Sequence, residues 1–247
     1  MKAMVLAAGL GTRLRPLTDH RPKALVELGG RTLLELTLTR LRGFGIREVI
    51  VNVHHFADMV VDYLRAHDDF GMRVEVSRED ALLDTGGGLK KAGWFFLEDS
   101  GSSDEPFVLH NVDVLSNIDL GRMVDLHKQQ NALATLAVQD RKTSRYLLFD
   151  SQLGLCGRRA GLDGKPEMVR PAKAFEAFAF SGIHVISRRL LSMLTEDGAF
   201  SIVASYLRLA AQGERIRAFR ADEYYWRDLG KPENIAQAEA DLKNRAI

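Results

Sequence analysis

The segment from Ala3 to Leu25 constrains this chain more than any other. An apolar run, Ala3 to Ala8 with its strand read as Met4–Ala8, breaks at Gly9-Leu10-Gly11-Thr12-Arg13 and continues through Pro16 to Pro22-Lys23-Ala24-Leu25. A strand that ends in glycines lets backbone N–H groups approach an anion, because no Cβ intervenes. A helix N-terminus after the turn adds partial positive charge. Arg13 supplies a planar two-pronged donor and Lys23 a compact point charge. The pattern predicts a triphosphate cradle on a strand–turn–helix unit. A dinucleotide fingerprint needs a third small residue where Leu14 stands, and a Walker loop needs Gly-Lys-Ser/Thr, which is absent.

The rest of the chain repeats the strand–helix alternation. Helical spacing is read over Thr32–Phe44, Ala57–His67, Leu89–Leu97 and Leu120–Gln130. Strands are read at Val49–Val53, Met72–Val76, Phe107–His110 and Leu133–Val138. This predicts an α/β fold with a mostly parallel, Rossmann-like sheet flanked by helices. Tyr146–Phe149, Leu153–Cys156 and Phe178–Ile186 then read as a small antiparallel insertion. Arg188–Leu194 and Ile202–Gln212 read as helical, Tyr224–Leu229 as a short strand and Pro232–Arg245 as a final helix. The polar stretch Asp99–Glu105 reads as a mobile loop.

A length of 247 residues with 46% hydrophobic content fits one domain, 1–247. The net charge of +1 argues against general nucleic-acid binding, so any positive site must be local. No apolar run is long enough to span a bilayer. The single Cys156 permits no internal disulfide. Lys2 and the apolar run after it superficially resemble a signal peptide, but Arg13, Arg15 and Pro22-Lys23 follow too closely. The expectation is a cytoplasmic protein.

Three later segments carry chemistry. Thr85-Gly86-Gly87-Gly88 reads as a second loop for close backbone approach, with Glu79 upstream. His110-Asn111-Val112-Asp113 places a hard carboxylate at a strand end, where open α/β sheets bind ligands and where Mg²⁺ finds an oxygen donor. Trp226-Arg227-Asp228-Leu229-Gly230 supplies a second acid, its Trp226 read as packing. His54-His55 reads as structural polar contacts, and Arg40, Arg42 and Arg47 as a solvated face.

Together these segments resemble the sugar-1-phosphate nucleotidyltransferases, or NDP-sugar pyrophosphorylases. The resemblance spans 2–30, 77–92, 107–114, 180–186 and 224–232. With Thr-Gly-Gly-Gly, this length and no hexapeptide-like repeat after Pro232, it lies nearest the small N-acetylmuramate 1-phosphate uridylyltransferases. Heptose 1-phosphate guanylyltransferases and phosphocholine-type cytidylyltransferases share the core. A non-catalytic nucleotide-sugar sensor is the competing class; retention of Arg13, Lys23, Asp113 and Asp228 favours an enzyme.

The resemblance implies the nucleotide-diphospho-sugar transferase fold, with 1–140 mainly nucleotide-binding, 141–230 mainly sugar-binding and 231–247 a C-terminal helix. It implies an NTP and a sugar 1-phosphate as reactants and magnesium (Mg2+) on Asp113 and Asp228. Arg13, Lys23 and Asp113 are the implied catalytic residues. Leu6, Ala8, Gly9, Gly11, Thr12, Arg13, Lys23, Glu79, Thr85, Gly86, Gly87 and Asn111 are implied for the nucleotide. Asp113, Ser181 and Gly182 are implied for the sugar, although Phe180–Ile183 also reads as a plain strand with a tight bend, and Glu79 as a solvated residue. Two departures stand out. Val112 replaces the family's usual Gly, and no Glu-Lys-Pro precedes the sugar segment. Leu155-Cys156-Gly157-Arg158-Arg159-Ala160 stands there instead, so Arg158 or Arg159 is expected to take the phosphate role, or else the two are an exposed hairpin pair.

Overall fold

The computed structural model describes residues 1–98 and 105–243. Residues 99–104, most of the predicted polar loop, and 244–247 at the end of the predicted last helix lie outside the described residues.

The first half alternates as its periodicity predicts. Strand β1 (Lys2–Leu6) leads through the short pair β2 (Glu27–Leu28) and β3 (Arg31–Thr32) into helix α1 (Leu33–Gly43). Thr32 caps α1 by accepting the Glu35 N–H at 3.1 Å, the first half of a Thr-x-x-Glu capping box. Then follow β4 (Glu48–Val53), α2 (Ala57–Ala66), β5 (Arg73–Arg78), α3 (Asp84–Ala92), α4 (Trp94–Leu97), β6 (Phe107–Asn111) and β7 (Val114–Ser116). The second half contains α5 (Leu120–Gln129), β8 (Ala134–Gln139), β9 (Arg145–Asp150), β10 (Leu155–Ala160), β11 (Glu167–Met168) and β12 (Phe175–Ile186). It closes with α6 (Ile202–Ala211), β13 (Ile216–Arg220), β14 (Trp226–Asp228) and α7 (Pro232–Lys243).

One sheet runs β11-β10-β9-β12-β6-β1-β4-β5, with β8 and β13 joined beyond β12. Strands β6, β1, β4 and β5 are parallel. Successive residues of β1 serve opposite faces. Ala3 and Val5 pack with Leu34, Leu38 and Val51, whereas Met4 packs with Leu89, Phe95 and Tyr206. Helices therefore cover both sides of the parallel half, as its apolar strands require.

The antiparallel strands extend the same sheet. One edge of β12 pairs first with β9, over Phe175–Ala179, and then with β6, over Ile183–Ile186. The opposite edge pairs with β8, and its register shifts between Phe180 and His184. A bulge at Phe180–Gly182 thus falls where β12 changes partner, and Gly182 takes φ 73° there.

Several boundaries differ from the sequence reading. β1 ends at Leu6; Ala7 and Ala8 stay buried but leave the ladder, and the Ala7 N–H turns to Asn52 Oδ1 at 2.8 Å. The turn after Gly11 opens only a single 3-10 turn, Thr12–Leu14, so no long helix dipole points at the cradle. Pro16 follows closely, and the residue before a proline is biased away from helical geometry. Arg188–Met193 is likewise a 3-10 helix. Strand β13 is an addition to the elements expected from sequence, with Ile216 and Ala218 buried and Arg217 between them.

Candidate active site

Chain order and strand order part company at β1. The chain goes from β1 to β4 and β5 on one side, then crosses to β6 on the other. Parallel α/β sheets bind ligands at such a switch point, beyond the carboxyl ends of the strands. A cavity of about 370 Å³ lies there. It is lined by Leu6 at the end of β1 with Ala7, Ala8 and Gly9 after it, Asn52 at the end of β4, Glu79 after β5, and Asn111 at the end of β6 with Asp113 beyond it. Lys23, Thr85, Leu82, Asp84, Val112 and Ala199 complete the wall.

Gly9 has open space where a Cβ would stand. Gly11 does not: its φ is 65°, and a Cβ would come within 2.9 Å of Thr18 Cγ2. Thr18 Oγ1 donates to the Gly11 carbonyl at 2.8 Å and fixes this loop. Gly9→Ala is therefore expected to leave thermal unfolding nearly unchanged, within about 0.5 kcal/mol as at other uncrowded sites. It should raise the nucleotide KM, which titration of initial rates would detect; an unchanged KM would remove Gly9 from the cradle.

Lys23 projects from a 3-10 turn, Lys23–Leu25, and its ammonium contacts Asp113 Oδ2. Both side chains are only 13% exposed. Arg13, 56% exposed, places Nη2 3.7 Å from Asp228 Oδ2. Asp113 and Asp228 sit side by side because β7 and β14 are paired. Asp228 opposes Val114, and the Leu229 N–H donates to the Asp113 carbonyl at 2.7 Å. The Gly230 N–H holds Asp228 Oδ1 at 2.7 Å, and Asn234 Nδ2 holds the Asp228 carbonyl at the same distance. Two carboxylates 115 positions apart in sequence thus share one edge of the site. Among the described residues no group of three or more His, Cys, Asp or Glu could hold a metal alone. A pair of carboxylates nevertheless suits Mg²⁺, which takes one or two protein carboxylates and completes its shell with water and other oxygen donors.

The glycine triplet plays a part different from the one its composition suggests. Thr85–Gly88 lies inside α3, not in a loop, and Gly86, Gly87 and Gly88 are buried. Thr85 lines the cavity; Gly86 and Gly87 do not. Their N–H groups donate to the Phe200 carbonyl at 2.8 and 3.3 Å. A Cβ on Gly86 would stand 2.9 Å from that oxygen, and one on Gly88 would stand 2.7 Å from Glu79 Oε1. Helix α3 accepts three poor helix formers because only a bare backbone packs this closely.

Glu79 is 5% exposed, not a solvated residue. Its Oε1 accepts from Asn52 Nδ2 at 2.7 Å and its Oε2 from the Leu83 N–H at 3.0 Å. The carboxylate therefore latches β4 to the start of α3. Asn52 was missed by the sequence reading, although it interrupts the β-branched run Val49-Ile50-Val51-Asn52-Val53. His54 Nδ1 donates to the Glu79 carbonyl at 2.8 Å, a structural contact as read.

Arg40 is corrected as well. It turns inward from α1, donating to His110 Nε2 at 3.0 Å and to the Ile118 carbonyl. Burial pulls its guanidinium down to about 10. His110 donates from Nδ1 to the Asn111 carbonyl at 2.7 Å, so the pair braces the turn before Asp113. Burial, then Arg40, holds His110 at about 3; burial, with His110 nearby, holds His184 at about 3. Both imidazoles are neutral in the folded protein, while an unfolded chain protonates them below 6.5. Stability is therefore complete above that value and lost as the pH falls toward 3, by up to about 1.4 kcal/mol per pH unit for each group. Thermal melts at pH 7 and pH 5 should show the drop, and a smaller one in His184→Gln; identical pH dependence would discount His184.

Ser181 and Gly182 approach from the β12 bulge. A Cβ on Gly182 would stand 2.8 Å from Asn111 Nδ2. Arg158 does not join them: it is exposed on β10 and paired with Glu167 at 2.7 Å, the hairpin alternative. Gly157 lets β11 lie so close that Arg158 and Glu167 fall in register. Val112 buries its side chain in the core beside Leu34 and Leu38 while its N–H donates to the Leu6 carbonyl at 3.1 Å.

The Nucleotidyl transferase family model matches residues 2–245. The chain belongs to that family. It is 35% identical, over 97% of its own length and 96% of the relative's, to the N-acetylmuramate alpha-1-phosphate uridylyltransferase of Caulobacter vibrioides. It is 28% identical to the UTP–glucose-1-phosphate uridylyltransferase of a Synechocystis species, matching along all of this chain and 64% of that protein. Its fold is similar to that of HddC from Yersinia pseudotuberculosis, with a TM-score of 0.76 at 21% identity over 98% of this chain and 99% of that one. A UDP-glucose pyrophosphorylase solved with UDP-glucose superposes with a TM-score of 0.77 at 16% identity, over 99% and 98% of the two chains. These likenesses agree with the sheet and the helix layers described above.

Proposed function

We propose that this nucleotidyl transferase moves a nucleotidyl group from an NTP to a sugar 1-phosphate, with UTP and N-acetylmuramate 1-phosphate the first pair to test. The observation that carries the proposal is Lys23 in contact with Asp113 in the wall of the switch-point cavity, with the Arg13–Asp228 pair joined beside them through the Leu229 N–H to the Asp113 carbonyl. The identity to an N-acetylmuramate alpha-1-phosphate uridylyltransferase along nearly the whole chain supports the choice of pair. Residues 1–140 would serve mainly the nucleotide, 141–230 mainly the sugar, and 231–247 would close the fold.

In this reaction an oxygen of the sugar phosphate forms a bond to the α-phosphorus, and the bond from that phosphorus to the leaving pyrophosphate oxygen breaks. The nucleophile is already anionic at neutral pH, so no general base is needed. The barrier lies in bringing two anions together, and catalysis is positioning plus charge neutralisation. Lys23 neutralises charge at the reacting phosphates, and the backbone from Gly9 to Thr12 with Arg13 holds the pyrophosphate portion. Asn52 and Glu79 fix the far wall, and Leu82, Thr85 and Ala199 enclose the nucleoside. Asp113 and Asp228 would hold Mg²⁺, which supplies further positive charge at the phosphate oxygens when bound.

Among the described residues, no helix is long and apolar enough to cross a membrane. A cytoplasmic site of action is part of the proposal. Pyrophosphate release should be measured for four NTPs against a panel of sugar 1-phosphates with Mg²⁺. Release with UTP and a hexose 1-phosphate is expected. Tight NTP binding without release from any pair would overturn the enzyme reading in favour of a sensor, and release only with GTP or CTP would overturn the choice of base.

A further inference from the structure

Of the two arginines expected from sequence to hold the acceptor's phosphate, Arg158 is engaged by Glu167 and Arg159 lies over the Tyr146 ring, 5.6 Å from its centroid. Another stands at the β12 bulge. Arg141 lies just past β8, with its guanidinium carbon 3.7 Å from the centroid of the Trp226 ring. Its Nη2 donates to the Phe180 carbonyl at 2.8 Å, and the Trp226 indole N–H donates to the Ser181 carbonyl at 2.7 Å. Two consecutive carbonyls of the bulge are thus held by one stacked pair. Stacking on an aromatic face fixes a guanidinium plane while keeping its charge.

Among the described residues, Arg141 has no directly paired carboxylate, although it lies in the field of Asp228. Arg141 Nε, Ser181 Oγ and Asn111 Oδ1 are all buried without hydrogen-bond partners. Buried polar atoms nearly always have partners, and three orphans about one bulge indicate a place completed by a ligand. Asn111 and Asp228 tie that place to the cavity already described, since Asn111 lines it and Asp228 is paired beside Asp113.

We infer that Arg141, stacked on Trp226 at the Phe180–Gly182 bulge, is the specificity-determining cation that receives the phosphate of the acceptor, with Asn111 and Ser181 turned toward its sugar. The inference rests on the nucleotidyl-transfer reading. It replaces Arg158 in that role and explains how a chain without Glu-Lys-Pro can still hold a sugar phosphate.

The test is a KM split. Arg141→Gln should raise the KM for N-acetylmuramate 1-phosphate about 10–100-fold, as expected for loss of a hydrogen-bonded charge, while the UTP KM stays within about twofold. Arg141→Lys should recover part of the loss, and Trp226→Phe should give an intermediate rise. These two variants also serve if Arg141→Gln melts early. An unchanged acceptor KM, or equal rises for both substrates, would overturn the inference. Free N-acetylmuramate, which has a carboxylate but no phosphate, should inhibit wild type and Arg141→Gln equally or inhibit neither. A parallel weakening would assign Arg141 to the carboxylate and overturn its phosphate role. If wild type itself releases no pyrophosphate with any pair, the transfer reading is what fails.

Discussion

Asp113→Asn should lower kcat by about 10²–10³-fold, equivalent to about 3–4 kcal/mol, while the protein stays folded. Asp113 contacts Lys23 in the cavity wall, and its carbonyl accepts from the N–H of Leu229, the residue after Asp228. Amidation keeps the shape and removes the charge that would hold a divalent cation. Lys23→Ala should cost a similar factor for a different reason, since it removes a positive charge that opposes the repulsion of two phosphates. Because the two side chains contact each other, the double variant should lose less than the sum of the singles. Steady-state rates with a Mg²⁺ titration would check this. Asp113→Asn should raise the Mg²⁺ concentration at half-maximal rate, whereas Lys23→Ala should leave that concentration close to wild type. Wild-type kcat in either variant would remove that residue from the machinery.

Gly87→Ala should be the most damaging change in the α3 triplet. A Cβ there would drive into the Gly198 carbonyl and come within 3.0 Å of Leu83 Cβ. Neither is the end of a flexible side chain, so the backbone of α3 or of 198–200 has to shift. Overpacking of this kind costs about 1–3 kcal/mol, which for a chain of this size lowers Tm by roughly 2–4 °C per kcal/mol. Thr85 and Ala199 line the cavity from these two segments, so the nucleotide KM should rise with the loss of stability. Differential scanning calorimetry and UTP kinetics on the same preparation would check both effects. A normal Tm with a raised KM would instead place Gly87 in direct contact with the nucleotide, as its sequence context suggests.

Much of the architecture was legible because it depends on local pattern. The β-branched runs, the helical spacing of α1 and α2 and the glycine break after β1 each need only a few neighbouring residues. The two carboxylates were legible as types at strand ends. Their adjacency was not, because it depends on β7 pairing with β14 across more than a hundred residues. Asn52, Arg40 and Arg141 escaped for the same reason. Each looks like an ordinary polar residue until the strand or bulge it faces is in place.

The amino-acid sequence by itself determined the α/β class, and it singled out Arg13, Lys23 and the two acids from which the anion cradle is proposed. Those follow from backbone freedom, charge and periodicity, which act over short range. Only the tertiary structure decided that the glycine triplet is a packed helix and that Glu79 is a latch. It likewise withdrew Arg158 to an exposed hairpin and put Arg141 on Trp226 at the site's edge. Such roles depend on which backbone comes close to which side chain, a matter of distance in space that neither composition nor spacing encodes.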